Sequence, residues 1–234
     1  DWIDALRALA LLFVMIGHLI PDVDLFFVFT SPIKIPLFFA ISGYLFNNRN
    51  GDPKDFFKNL LFKIVIPWLT IACSIYLCIS LVKGYQYFIR SVCSILTGDI
   101  LWYMPCCIIA EIIYFYIHKF AKTDKMIYAL CIAFGIVGFI CAKFNFLDIF
   151  MINRALISQV YLMIGFCIKK HERILMKNIT VGISAFVYLI LCACCIVFFP
   201  QIRMDIHLNQ YYNELFSVIL ITVGKKSFSY FNKT

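Results

Sequence analysis

Eight apolar stretches, at 2–20, 33–47, 62–82, 101–118, 126–142, 155–168, 179–199 and 212–224, follow one another with short polar breaks between them. A helix needs ~20 apolar residues to cross the hydrocarbon core of a bilayer, and fewer where snorkelling residues flank it. The pattern predicts an all-α, polytopic membrane helix bundle with about eight transmembrane helices. Composition agrees: 63% of the residues are hydrophobic and 15% are charged. A soluble domain is nearer ~45–50% apolar and ~25% charged. With 25 Phe and 13 Tyr, the chain holds more apolar surface than a soluble core of this size could bury, so most of it must face lipid.

The first stretch does not read as a cleaved signal peptide, because it contains Arg7 and His18 and no small-residue cleavage site follows it. The first residue is not Met, so the chain is expected to be clipped at its start. No repeat, low-complexity tract or domain boundary interrupts residues 1–234, which read as a single membrane domain. Most of the 11 cysteines sit inside apolar runs, where Cys acts as a small hydrophobe. Cys106–Cys107 and Cys194–Cys195 are adjacent pairs rather than C-x-x-C pairs, so no metal site is indicated.

The formal charge of +8 points to cytoplasmic loops rather than to nucleic acid. With a cytoplasmic N-terminus, fourteen Lys and Arg fall in inside loops and six in outside loops, Lys34 and Arg154 among the six. That asymmetry is the positive-inside pattern. Residues 47–59 read as a short cytoplasmic loop. Residues 83–99, with Tyr85, Tyr87 and Phe88, read as an interfacial amphipathic helix. Single-cysteine labelling on a cysteine-free background checks the topology. Lys170→Cys is expected to react from the cytoplasmic side, and labelling from outside alone would reverse the assignment.

Charge near the centre of a membrane helix costs at least ~2.5–3.5 kcal/mol per group, so the ionisable residues inside the apolar stretches stand out. Arg7 and His18 are eleven residues apart, three helical turns plus ~20°, and so share one face about 16 Å apart along the axis. Asp4 lies one turn before Arg7 and can pair with it. Two readings are open. Either the stripe is a functional site, or Arg7 snorkels and His18 sits wet at the far interface. In "IPLFFAISGYLF", Ser42-Gly43 serves close helix packing or lets a backbone approach a ligand. Trp102 and Tyr103 suit an aromatic belt. Glu111 lies mid-span, where a carboxylate must be paired, protonated or wet, and it can serve a structural hydrogen bond or a site. His118 shares its face, but His118, His171 and His207 fall at helix ends or in loops, where a solvated role is the default. "RMDIHLNQYYN", at 203–213, is dense in side chains that grip sugar hydroxyls, and any solvated loop uses them too.

Taken together these residues resemble the acyltransferase-3 family of membrane O-acyltransferases. The resemblance rests on Asp4, Arg7 and His18 with ten residues between Arg and His, on "PLFFAISGYLF", "FKIVIPWL", "ILWYMP" and "YLMIGFCIKK", and on "MDIHLNQYYN". The Arg-His spacing with Phe-Phe-x-Ile-Ser-Gly is the specific pair. The family has about ten helices, so the last two are expected to be missing from this chain. It often carries arginines before the third helix, where this sequence has Lys58 and Lys63, which can bind phosphate only as point charges.

The resemblance implies transfer of an acyl group, expected to be acetyl, from cytoplasmic acyl-coenzyme A to a hydroxyl of a cell-surface glycan or lipid-linked sugar. Acyl-coenzyme A is a co-substrate, and no bound cofactor is implied. Arg7, Lys58 and Lys63 would hold the anionic donor and His18 would be the general base. Ser42, Trp102, Glu111, Asp205 and Asn213 would serve the acceptor. The expected partners are the bilayer, the acyl-coenzyme A donor and a carbohydrate acceptor. The expected location is the cell membrane. The rival from another class is a proton-coupled small-solute transporter, which also uses intramembrane Arg, His and Glu, although the two halves show no self-similarity. A non-catalytic scaffold would not need the Arg-His stripe.

Overall fold

A computed structural model describes residues 2–19, 24–46, 51–98, 101–144 and 149–171. Among them all regular structure is helical. The helices are α1 (Trp2–Leu19), α2 (Asp24–Leu45), α3 (Pro53–Leu60), α4 (Ile66–Lys83), α5 (Tyr85–Thr97), α6 (Tyr103–Phe120), α7 (Asp124–Lys143) and α8 (Ile152–Lys170). A π-helical turn, Leu61–Val65, joins α3 to α4, and a 3₁₀ turn, Ile149–Met151, precedes α8. Among the described residues two helical runs, Pro53–Lys83 and Asp124–Lys143, are long and apolar enough to cross a membrane, and Lys34–Leu45 is a shorter apolar helix. The expected spans at 179–199 and 212–224 lie outside the described residues.

Three segments differ from the sequence reading. The expected loop at 47–59 is helical from Pro53 onward. Asp52 caps it, its carboxylate accepting from the Lys54 amide at 3.0 Å, and Pro53 takes the first helical position, where its missing N–H leaves nothing unsatisfied. Helix α2 begins at Asp24 rather than at 33, so Lys34 is not in a loop but buried within the helix, 8% exposed. Arg154 likewise lies in the first turn of α8 rather than in a loop. The expected amphipathic segment is α5, closed by Gly98 in the left-handed conformation (φ 79°), whose amide bonds back to the Ser94 and Ile95 carbonyls.

The π turn has a local cause. Pro67 donates no backbone hydrogen bond, and its ring crowds the carbonyl four residues back, that of Lys63. The chain widens there, and the Ile66 amide reaches five residues back to the Leu61 carbonyl. The widening also keeps one face in phase. Leu60 and Trp68, both buried, are eight residues apart, about 80° out of register in an unbroken α-helix. Absorbing one residue reduces that to about 20°. Phe56, Leu60, Trp68 and Ala72 thus form one buried stripe.

The chain divides into two compact units, residues 1–46 with 160–234, and residues 47–159. In the first, Leu6 and Ala10 of α1 pack on Leu37 and Ile41 of α2. Gly43 of α2 meets the Leu162 backbone, and Gly165 of α8 meets the Ala40 carbonyl, so closely that a Cβ at either glycine would overlap the opposing backbone. For Gly43 the packing reading therefore holds. Lys169 donates to the Phe46 carbonyl at 3.3 Å at the end of the same seam. In the second unit α6 is the meeting point. Phe56 stacks on Phe115 with centroids 4.2 Å apart, and Gln159 donates to the Ala110 and Ala155 carbonyls, each at 3.0 Å. Helix α7, capped by Thr123, brings Gly138 against Asn153 and Leu156 of α8.

Candidate functional site

Helix α1 is continuous across Trp2–Leu19, so the eleven-residue interval from Arg7 to His18 runs along one unbroken helix, with His18 in its last turn. Arg7 Nη1 lies 3.7 Å from Asp4 Oδ1, and the two side chains are 45% and 70% exposed. A pair this open and this long contributes ~0–1 kcal/mol, so it leaves the guanidinium fork available to a stronger oxyanion. Leu6 and Ala10 bury on α2, which fixes the helix that carries Arg7. Ser42 is half-buried in the last turn of α2, one residue before the Gly43 contact with α8.

The second unit holds both Lys63 and Glu111, which the sequence assigns to different substrates. Lys63 lies in the π turn and Glu111 at the middle of α6. The π turn and α6 are in contact, and the Phe56–Phe115 stack lies beside them. Lys58 is exposed on α3. One face of α6 therefore carries Cys107, Glu111, Tyr114 and His118 at intervals of three or four residues.

His118 departs from the solvated role expected of it. It is 2% exposed and packs edge-to-face on Tyr114, with ring centroids 4.5 Å apart. The sequence placed it on the face of Glu111 but carried no signal that the end of α6 is covered. Lys119, the next residue, reaches out over the Phe115 ring at 6.0 Å.

Trp102 was expected to serve an acceptor. One side of its ring is covered by the Arg154 guanidinium, 4.3 Å from the ring centroid, and Tyr103 meets it edge-on at 6.4 Å. A cation over an indole contributes ~0.5–2 kcal/mol. Below it, Ser158 Oγ and Cys106 Sγ approach to 3.8 Å, so α6 and α8 are joined at successive levels. The backbone around this corner is unusual: Leu101, Phe150 and Met151 have φ of 50°, 53° and 57°. Gly98 packs on Phe150, 3.0 Å from where its Cβ would lie. Arg154 is the residue that the sequence reading missed, because a contact between segments fifty-two residues apart leaves no local trace. Asp205 and Asn213 lie outside the described residues.

The structure thus places Arg7, His18 and Ser42 on the α1–α2 pair and Lys63 and Glu111 in the second unit, while Trp102 meets a residue not anticipated. A family model described as an acyltransferase domain matches residues 1–225. No curated protein and no solved structure matches the chain.

Proposed function

The chain belongs to the acyltransferase-3 family, and from that membership we propose a membrane O-acyltransferase that moves an acetyl group from cytoplasmic acetyl-coenzyme A to a hydroxyl of a cell-surface glycan or lipid-linked sugar. The family match over residues 1–225, with Arg7 and His18 on one continuous helix, carries the reading. The match makes the protein a membrane acyltransferase in general and displaces the transporter reading, which no observation favours.

In the proposed reaction the His18 imidazole takes the proton of the acceptor hydroxyl. The oxygen attacks the thioester carbonyl, a C–O bond forms, and the C–S bond breaks. Coenzyme A leaves as thiolate and recovers the proton from the imidazolium, so no net proton is consumed. A group with a pKa near neutral suits both transfers. Arg7 holds donor phosphate through its planar fork, and Lys58 and Lys63 add point charge. Ser42, Trp102, Glu111, Asp205 and Asn213 are proposed for the acceptor side, with Trp102 offering only the ring face that Arg154 leaves open.

Transfer of radiolabelled acetyl from acetyl-coenzyme A in membranes, beside solute uptake in proteoliposomes, tests the reading. Uptake without transfer would overturn it. Arg7→Lys is expected to raise the donor KM about tenfold, because a bidentate contact becomes a single one, while the amount of inserted protein stays near the parent level. Unchanged donor kinetics would leave Arg7 only its loose pairing with Asp4.

A further inference from the structure

Residues 64–98 contain two cations, Lys83 and Arg90, and no Asp or Glu. Both stand at the end of the helical run Pro53–Lys83, which is long and apolar enough to cross a membrane. Lys83 closes α4, Gly84 turns the chain with a φ of 89°, and α5 follows. Lys83 Nζ lies 4.8 Å from the centroid of the Tyr87 ring, and Arg90 is one turn beyond Tyr87 on α5, its neighbour along the helix surface. Both basic side chains are exposed, and among the described residues neither forms an ion pair. Like charges set about one ring repel each other, so the spot favours an anion that both can reach.

Helix α5 packs on α4 and turns the buried Ser91 inward, its hydroxyl donating to the Tyr87 carbonyl of its own helix at 2.7 Å. Phe88, Ile89 and Val92 fall within about 100° of arc on another side and are 43%, 47% and 37% exposed. A helix with one greasy face and a cation on the next face suits the boundary between hydrocarbon and headgroups. Helix α5 leads from the end of α4 to the start of α6, so all three meet at one face of the membrane. Gly98, at its far end, packs on Phe150 and Pro105, beside the corner where Arg154 covers one side of Trp102. Arg90 precedes Gly98 by eight residues, about 12 Å along the axis, which is within the reach of a short sugar chain.

We propose that Lys83 and Arg90 are the docking site for the phosphate of a lipid-linked sugar, with the lipid chain lying along Phe88, Ile89 and Val92 and the sugar directed toward Trp102. The acceptor then arrives in the plane of the membrane. A phospholipid headgroup brings the charge but nothing that extends to Trp102. This assignment rests on the acyl-transfer reading of the preceding section and chooses between the two acceptors named there.

The experiment measures binding to the purified full chain in phosphatidylcholine nanodiscs. The probe is radiolabelled glucose joined through a diphosphate to a farnesyl chain. Lys83→Gln and Arg90→Gln are each expected to weaken binding about fivefold, and the double variant about thirtyfold, with thermal midpoints at the parent value because both side chains are exposed. The farnesyl glucoside that lacks the diphosphate, and phosphatidylglycerol at the same mole fraction, are expected not to displace the probe. Binding unchanged in the double variant, displacement by the glucoside, or equal displacement by phosphatidylglycerol overturns the proposal. Acetyl transfer in membranes, measured beside it, keeps the two readings apart. Transfer without binding overturns the docking site alone. Binding through Lys83 and Arg90 without transfer upholds the site and overturns the acyltransferase reading.

Discussion

His18→Ala is expected to lower acyl transfer by about 10²–10⁴-fold, the usual loss when a general base is removed, with the protein still inserted in the membrane. Insertion should survive because α1 is a continuous helix and alanine is the best helix former, and because exchanging an imidazole for a methyl makes the segment more apolar. No other described histidine offers a replacement base. His118 is buried against Tyr114, and His171 is exposed in the turn after α8. The quantity to measure is product formed per inserted molecule, which separates lost chemistry from lost protein. Activity within a fewfold of the parent would return His18 to the role of a wet residue at the far interface.

The second large effect is structural. Gly165→Ala is expected to destabilise the α2–α8 seam by ~1–3 kcal/mol, and Gly165→Val by more. A Cβ at residue 165 would overlap the Ala40 carbonyl, and one at residue 43 would overlap that of Leu162. In both places the opposing atom is helix backbone, so no rotamer change relieves the contact and the helices must separate. Between membrane helices, close packing supplies much of the association, because lipid is as apolar as the side chains it replaces. The expected readout is a lower thermal midpoint in detergent and a lower folded yield, shared by Gly43→Ala. A Gly165→Ala protein that melts with the parent would show that the helices do not meet there.

Much of the helical order was legible because hydrophobic length is a strong local signal. Helices α1, α6, α7 and α8 fall where the apolar stretches lie. The misreadings share a physical origin. At 53–59 the capping pattern of Asp52 and Pro53 is present, but the segment is polar, and polarity by itself predicts a loop. At 24–32 the chain holds helix ahead of Pro32 and Pro36, since in a bilayer the alternative to a strained helix is an unsatisfied backbone. The candidate site was legible only within single helices. The Arg7–His18 interval could be counted along the chain. The cover over His118 and the guanidinium on Trp102 both depend on segments brought from far apart, and no periodicity encodes them.

The π turn bears on how roles pass between related sequences. One residue between Leu61 and Val65 has no counterpart in an ordinary α-helix spanning the same distance. A relative whose helix lacks the turn reaches the same depth one residue sooner. Matching such a chain to this one position by position leaves everything on one side of the turn displaced by a third of a revolution, unless the gap is placed inside it. Lys63 sits within that interval. A basic residue one place earlier or later in another member can therefore occupy the same point in space, and an apparent loss of the residue there can be a shift in the count.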